Sequence, residues 1–298
     1  MNKQLIAAVF ATAMSFSSAL AQSNPVELSD EFSDAASLQN WKSFDRAEGF
    51  PSKVKDLKIV DGKLTLQPAA SGWYGDYQAP FLFKTVSGNF DVRARIKVSG
   101  NASEMPAADW SLAGLMVRQP KRTTQENWQP RQENWLFITT GIAHQLNLPV
   151  IEIKSTNNSL SNLKLRPAKT GWLELRIVRI DAAFILMSRF ENEAWQIQDR
   201  FYRPLLQGPL QVGINAYSGW EGIPGDLKSN PKLFNETVAN SAADLRIEVD
   251  YIRFKQAVNL TALPQYNKSY ANTLYYSLGN LLTDFSVSNQ EVLKLLGD

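Results

Sequence analysis

The feature that most constrains the fold is a strict alternation of apolar and charged side chains over residues 90–98. Phe90 and Val92 belong to the apolar series, whereas Asp91 and Arg95 belong to the charged series. Successive side chains of a β-strand point to opposite faces, so the pattern predicts a strand with one face in a core and the other in water. A strand of this kind needs a second layer to cover its apolar face.

Further strand patterns follow between short turn signals. Asp61-Gly62 separates two short apolar runs and suits the two-residue turn of a β-hairpin. Residues 112–117 contain no polar side chain, which predicts a central strand covered on both faces. Other strands are predicted at residues 136–139, 150–153, 173–180, 184–190, 210–216 and 245–254. Because no helical period interrupts them, we predict an all-β fold made of two antiparallel sheets packed as a sandwich.

The C-terminal stretch, residues 257–298, departs from this pattern. Apolar residues at spacings of three and four over residues 263–285 predict an amphipathic helix. A second short helix is predicted over residues 289–296, with Ser288 as its N-cap and Gly297 as its stop. Two roles stay open for this helical extension. It covers an apolar patch of the sandwich, or it binds a partner protein or a second copy of the chain.

Residues 1–21 have the organisation of a secretory signal peptide. Lys3 precedes an apolar stretch, and Ala19-Leu20-Ala21 matches an A-x-A cleavage pattern. We therefore expect a bacterial protein that is secreted or periplasmic, cleaved near Ala21, with its sandwich domain at residues 22–256. The apolar stretch is too short for a membrane span, and no later segment reaches the required length.

Composition and charge exclude several classes of function. The chain has no cysteine, which excludes disulfides and thiolate chemistry, and its one histidine, His144, is too few for a common transition-metal cluster. Lys and Arg number 31 against 29 for Asp and Glu. Basic and acidic residues are interleaved, so the sequence gives no indication of nucleic-acid binding.

Three loops combine aromatic residues with glycine, acidic or cationic residues. Two of them are glycine-flanked clusters at residues 71–77 and 218–222, and the third follows the apolar strand at residues 112–117. Rigid rings stack on the C–H faces of sugars, while charged and amide groups reach the hydroxyls. The loops therefore predict a carbohydrate site, although packing of the same rings in the core stays open as an alternative. The candidate ligand-binding residues are Trp73, Tyr74, Tyr77, Arg118, Trp128, Arg131, Trp220 and Glu221.

Several segments resemble concanavalin A-like sandwich domains. The run WLELRIVRIDAAFILMSRFENEAWQIQ, at residues 172–198, resembles the paired strands of such domains. GNFDVRARIKV, AGLMVR and QVGINAYS resemble strands of the β-xylosidase C-terminal type of that superfamily. The resemblance covers nearly all of residues 27–255 and implies a jelly-roll fold with a glycan or polysaccharide as its partner. It does not imply one activity, because the superfamily includes lectins, sugar-binding modules, glucanases and lyases.

The terminal strands resemble laminarinase-type glucanases. The segments DEF, DGKLTL and VDYIRF, at residues 30–32, 61–66 and 249–254, look like strands that a calcium ion ties together in those enzymes. The resemblance implies a structural calcium site, and calcium takes carboxylate and carbonyl oxygens as ligands. The candidate ligands are the side chains of Glu31 and Asp250 and the carbonyl of Gly62. Alternatively, Asp250 bonds the neighbouring N-terminal strand.

The same glucanases carry catalytic carboxylates in an E-x-D-x-x-E motif, which this sequence lacks. The leading prediction is therefore carbohydrate binding without covalent chemistry. The alternatives are a glycoside hydrolase that uses loop acids, a polysaccharide lyase that uses tyrosine as a base, and an interaction or structural protein that docks through its C-terminal helix.

Overall fold

A computed structural model describes residues 24–144, 148–260 and 281–297. Within these residues, two antiparallel sheets of seven strands each form a sandwich, as the strand patterns predict. The strands are β1 Lys42–Ser43, β2 Val54–Val60, β3 Lys63–Pro68, β4 Phe81–Val86, β5 Phe90–Ser99, β6 Ser111–Arg118, β7 Trp135–Ile142, β8 Pro149–Asn157, β9 Leu160–Pro167, β10 Trp172–Ile180, β11 Ala183–Phe190, β12 Gln196–Tyr202, β13 Leu210–Tyr217 and β14 Arg246–Lys255.

Short helices lie in the connections and near the C-terminus. The α-helices are α1 Phe44–Glu48, α2 Gly225–Ser229, α3 Pro231–Asn235 and α4 Asn289–Leu296. Single turns of 3-10 helix occur at Pro25–Leu28, Ala35–Asn40 and Trp220–Gly222. Among the described residues, none of the helices combines the length and the apolar character needed to cross a lipid bilayer.

The strand order defines two sheets, which we call the front and the back sheet. The front sheet has the order β1-β4-β13-β6-β7-β8-β9, and the back sheet has the order β12-β11-β10-β5-β14-β3-β2. Strands distant in sequence therefore become neighbours, since β13 lies between β4 and β6 and β14 lies between β5 and β3. The inner faces of the two sheets enclose the main core.

The predicted alternation in β5 holds for its apolar face, because Phe90, Val92 and Ile96 are buried in the core between the sheets. The opposite face is not uniformly wet. Asp91 is buried, and its carboxylate binds Arg176 of β10 at 2.9 and 2.6 Å. A sequence pattern cannot reveal this burial, because Arg176, the partner of Asp91, also binds carbonyls at the C-terminal end of the chain.

The hairpin at Asp61-Gly62 also forms as predicted. Both residues have positive φ angles, 50° and 70°, and Val60 pairs with Lys63 across the turn. Two-residue turns with this backbone match the twist of the flanking strands.

Helix α4 confirms the prediction for residues 289–296. The Ser288 hydroxyl accepts a hydrogen bond from the backbone N–H of Glu291, and the Glu291 carboxylate accepts one from the backbone N–H of Ser288. Gly297 ends the helix with a φ of 62°. The first predicted helix falls mainly on residues outside the described ones, and residues 281–285 are not helical.

The described part of the C-terminal extension covers the outer face of the back sheet. Leu282 and Val292 pack against Ile185 and Met187 of β11. Arg176 donates hydrogen bonds to the carbonyls of Leu296 and Gly297 at the end of the helix. The described C-terminal residues therefore occupy this part of the outer face of the back sheet.

Candidate ligand-binding site

The outer face of the front sheet carries a second apolar cluster. Side chains on both faces of strands β4, β6, β7 and β13 are almost all buried, one row between the two sheets and the other row on the outer side of the front sheet. Trp73 contacts Trp135 edge-on with 5.9 Å between ring centroids, and Trp135 stacks on Phe137 with 5.1 Å between ring centroids. Phe44 and Phe50, from the N-terminal part of the chain, belong to the same cluster. Most of the outer face is thus filled by the protein's own aromatic rings.

A pocket of about 320 Å³ opens where this filling ends. Tyr74 is exposed beside it, and Trp110 and Trp220 are half-buried. The pocket is lined by Gly72, Trp73, Tyr74, Trp110, Lys154, Ser161, Leu163, Tyr217, Trp220 and Glu221. The lining combines flat apolar surfaces with a few polar groups, which is typical of a small-molecule site.

Gly72 permits the close approach of two of the aromatic loops. A Cβ atom at this position would lie 2.6 Å from the Trp220 ring, which is far inside a normal contact distance. Trp220 also packs edge-on against Tyr77 at 5.1 Å. The absence of a side chain at Gly72 therefore decides where the Trp220 wall of the pocket stands.

The polar floor of the pocket is organised by Glu152. Its carboxylate lies 2.8 Å from the Lys154 ammonium and accepts hydrogen bonds from the hydroxyls of Thr139, at 3.0 Å, and Tyr217. Lys154 also donates to the Trp73 carbonyl at 3.0 Å. Burial raises the pKa of the Tyr217 phenol well above its usual value, and the negative charge of Glu152 raises it further. Tyr217 is therefore held as a protonated donor.

Two carboxylates meet one imidazole at the rim, where Glu221 lines the pocket and Asp109 and His144 lie next to the lining residues Trp110 and Glu221. His144 Nδ1 lies 3.2 Å from Asp109 Oδ2 and 3.4 Å from Glu221 Oε1. The imidazole also stacks on Trp110, with the ring planes 6° apart. Lys228 Nζ lies 3.7 Å from Glu221 Oε2 and donates to the Glu221 carbonyl at 2.9 Å. The rim thus holds two carboxylates and one lysine ammonium beside an aromatic wall.

Arg118, one of the candidate ligand-binding residues, does not face the pocket. Its guanidinium is fully buried, binds Glu133 through two hydrogen bonds of 2.9 Å, and lies 2.7 Å from Glu48. Lys121 completes the group, with Nζ 2.8 Å from Glu133 and 3.3 Å from Glu48. Burial raises the pKa of Glu133, but the two cations lower it by more, to about 2. Arg118 thus anchors the loop that follows β6 and does not line the pocket.

Four of the predicted ligand-binding residues, Trp73, Tyr74, Trp220 and Glu221, line the pocket, and their role in binding stays a prediction. The others lie around it. Tyr77 packs against Phe234 and donates from its hydroxyl to the Lys228 carbonyl. Trp128 is half-buried against the outer cluster, and Arg131 is exposed, with its backbone N–H bonded to Asp76 at 3.1 Å.

Sequence reasoning missed Trp110, Glu152, Lys154 and Tyr217. A usable signal exists for two of them, since Glu152 and Lys154 are charged residues two apart in an apolar strand and therefore share one face. Tyr217 ends an apolar strand and gives no comparable signal.

The candidate calcium ligands are engaged with arginines. Glu31 accepts hydrogen bonds of 2.7 and 2.8 Å from Arg253, which lower its pKa, and Asp250 accepts one of 2.9 Å from Arg95. The N-terminal segment is instead held by backbone bonds between Asp30 and Ile252. Across the described residues, no group of three or more acidic or histidine side chains is arranged to hold a metal ion. Both candidate carboxylates are already paired with guanidinium groups, so this donor set fits calcium poorly. Gly62, the third candidate ligand, lies in the β2–β3 turn.

No protein-family model matches the sequence, and no curated protein matches it either. Solved structures do share the fold. A GH43 protein from Bacillus licheniformis has a TM-score of 0.53 and 13% identity, over 77% of this chain and 39% of that chain. A xylan beta-1,4-xylosidase from Bacillus halodurans C-125 has a TM-score of 0.52 and 14% identity, over 76% of this chain and 39% of that chain. The fold is a concanavalin A-like sandwich.

A functionally unknown protein from Saccharomyces cerevisiae shares this concanavalin A-like sandwich, with a TM-score of 0.52 and 13% identity, over 74% of this chain and 99% of that chain. The chain spans about two fifths of the length of the two bacterial proteins. At these identities the likeness concerns the fold alone, so function rests on the pocket itself.

Proposed function

We propose that the protein binds a carbohydrate chain, without covalent chemistry, in the pocket on the outer face of the front sheet. The observation that carries the proposal is the joining of exposed or half-exposed aromatic rings with rim carboxylates around a cavity of about 320 Å³. Sugars present flat C–H faces and a ring of hydroxyl groups, and this lining offers partners for both.

The aromatic wall suits stacking. Tyr74, Trp110 and Trp220 reach the pocket from three different loops, and Tyr74 has 56% of its surface exposed. Two neighbours of the same fold are carbohydrate-related by name, a xylan beta-1,4-xylosidase and a GH43 protein, which agrees with this choice of ligand class. The outer face of the back sheet is a poorer choice, since the described C-terminal residues pack on it.

A glycan array probed with the purified protein tests the proposal. We expect one class of oligosaccharide to be retained, with confirmation by isothermal titration in solution. Failure to bind any glycan on a broad array, with the protein shown to be folded by circular dichroism, would overturn it.

A second candidate, a glycoside hydrolase, is favoured by one observation: Asp109 and Glu221 converge on the rim beside the proposed ligand. Glycoside hydrolysis uses a pair of carboxylic acids that flank the bond to be cleaved. A lyase gains no such support, because the guanidinium of Arg118, which could neutralise an acidic sugar, is bound by Glu133 and Glu48 away from the pocket. Incubation of any array hit with the protein, followed by reducing-end and unsaturation assays, separates the three activities.

We further infer export of the protein with cleavage near Ala21, on the strength of residues 1–21 alone. N-terminal sequencing of the protein recovered from a bacterial periplasm tests this inference. The apolar side of α4 already packs against the back sheet. The hypothesis that the C-terminal extension binds a partner protein is therefore supported only by the apolar pattern at residues 263–285.

A further inference from the structure

We propose that the pocket selects uncharged glycans and rejects acidic ones, with Asp109 and Glu221 accepting hydrogen bonds from sugar hydroxyls. This inference rests on the proposed carbohydrate function and names the class of carbohydrate that the site takes. The charged groups at the floor and rim of the cavity carry it.

The floor offers no free positive charge. Among the described residues that line the pocket, Lys154 is the one cation. Its ammonium is 2.8 Å from the Glu152 carboxylate and donates to the Trp73 carbonyl. Lys154 and Glu152 are almost fully buried, so a carboxylate or sulfate on the ligand would compete with a tightly held partner for this ammonium.

The rim carries a surplus of acceptor oxygens. His144 Nδ1 can hold a single hydrogen, and two carboxylates lie within 3.4 Å of it. Lys228 pairs with Glu221 Oε2 at 3.7 Å and also donates to the Glu221 carbonyl, so one lysine ammonium faces two rim carboxylates. Carboxylate oxygens of Asp109 and Glu221 therefore remain available to donors, and hydroxyl groups are the donors that every sugar carries.

An acidic sugar meets two obstacles at this site. Its carboxylate or sulfate is repelled by Asp109 and Glu221, and it finds the Lys154 ammonium already paired with Glu152. A hydroxyl at the same place has neither difficulty, because it donates to a rim carboxylate while its ring stacks on Trp110 or Tyr74. The same oxygens thus attract an uncharged sugar and exclude an acidic one.

The experiment compares matched ligands. Each neutral oligosaccharide retained on the array, for example a glucan hexasaccharide, is titrated beside its counterpart oxidised at C6, in which hydroxymethyl groups become carboxylates. For a pentose chain the counterpart carries glucuronate branches. We expect the acidic form to bind at least about tenfold more weakly, with a difference that shrinks as salt is added.

The double variant Asp109→Asn and Glu221→Gln keeps the shape of the rim and removes its charge. We expect it to lose about tenfold or more in affinity for the neutral ligand and to discriminate less between the two forms. Glu191→Gln, at an exposed acid between β11 and β12 of the back sheet, is the matched control and is expected to change neither quantity.

The outcomes separate the two levels of the proposal. Equal or tighter binding of the acidic form by the unaltered protein overturns the selectivity and leaves the carbohydrate function intact. Unchanged discrimination in the double variant overturns the assignment to Asp109 and Glu221. Absence of binding to any glycan overturns the carbohydrate function and the selectivity with it.

Discussion

The guanidinium of Arg118 and the carboxylate of Glu133 form two hydrogen bonds of 2.9 Å, and neither side chain has any exposed surface. Arg118 ends β6 and Glu133 precedes β7, so the pair closes the long loop between these strands. Glu48 and Lys121 share the same buried group. Two cations at the start of the tryptophan-rich loop, Arg118 and Lys121, therefore fix the loop against the protein.

Removal of Arg118 should destabilise the protein strongly. Arg118→Met leaves Glu133 and Glu48 buried with only Lys121 to balance them, and loss of one partner of a buried pair costs about 3–5 kcal/mol. Urea unfolding followed by tryptophan fluorescence measures the change. Arg131→Met, at an exposed arginine of the same loop, is the matched control and should alter the free energy of unfolding by less than about 0.5 kcal/mol. A double variant Arg118→Met with Glu133→Met leaves Lys121 and Glu48 as a balanced pair, so it should be more stable than Arg118→Met alone.

Glu133 should make the protein sensitive to acid. Its pKa in the folded protein is about 2, below the ordinary value of 4.5, because Arg118 and Lys121 outweigh the effect of burial. The stabilisation is therefore complete above about pH 4.5 and is lost as the pH falls towards about 2, with a total on the order of 3 kcal/mol. Urea midpoints measured across this range test the slope. Glu133→Gln should flatten it, and an equally steep loss in that variant would assign the acid sensitivity to other groups.

The aromatic wall should carry much of the glycan affinity. Tyr74→Ala and Trp110→Ala each remove a stacking surface at the pocket, and the loss of about 1–2 kcal/mol per ring corresponds to roughly tenfold in dissociation constant. Titration calorimetry with a retained oligosaccharide measures the effect. Tyr202→Ala removes a comparably exposed tyrosine from β12 of the back sheet and should leave the affinity unchanged. Full affinity in both pocket variants would move the site elsewhere.

Gly72 offers a test of the pocket's shape. In Gly72→Ala the new methyl group meets the Trp220 ring at 2.6 Å, so the ring must move and the wall of the pocket moves with it. We expect weaker glycan binding and a changed tryptophan emission spectrum in a protein that remains folded. Gly225→Ala, where an added Cβ meets no atom within 4 Å, is the control for a glycine substitution as such.

Chelation should leave the thermal stability unchanged. The candidate calcium ligands Glu31 and Asp250 are already bound by Arg253 and Arg95, so no cation is needed to balance them. The melting temperature with and without excess chelator tests this expectation. A fall of several degrees that added calcium restores would establish a bound ion, since a ligand of the folded state raises stability by mass action.

Local patterns were enough to predict the sandwich and helix α4. Alternation in residues 90–98, the Asp61-Gly62 turn and the cap at Ser288 act over a few neighbouring residues, and each is found as the sequence indicates. The resemblance to concanavalin A-like domains agrees with the same strands. The burial of Asp91 escaped prediction, because Asp91 binds Arg176, which in turn binds carbonyls at the end of α4, far away in the sequence.

The pocket shows the limit of such reasoning. Trp135 is the first residue of β7 and Trp110 directly precedes β6, yet Trp135 is buried in the outer cluster and Trp110 forms a wall of the pocket. Tyr217 and Glu152 belong to different strands of the front sheet, and only the sheet order brings their side chains into contact.

The sequence by itself determined ten of the fourteen strands and where the last helix begins and ends, because turn and cap chemistry and side-chain alternation act between near neighbours in the chain. Strands β1, β4, β9 and β12 were not predicted. Tertiary structure alone decided which outer face stays open, which rings line a cavity and which arginine is enclosed. Those outcomes depend on contacts between segments that are distant in the sequence, and the pattern within one segment does not contain that information.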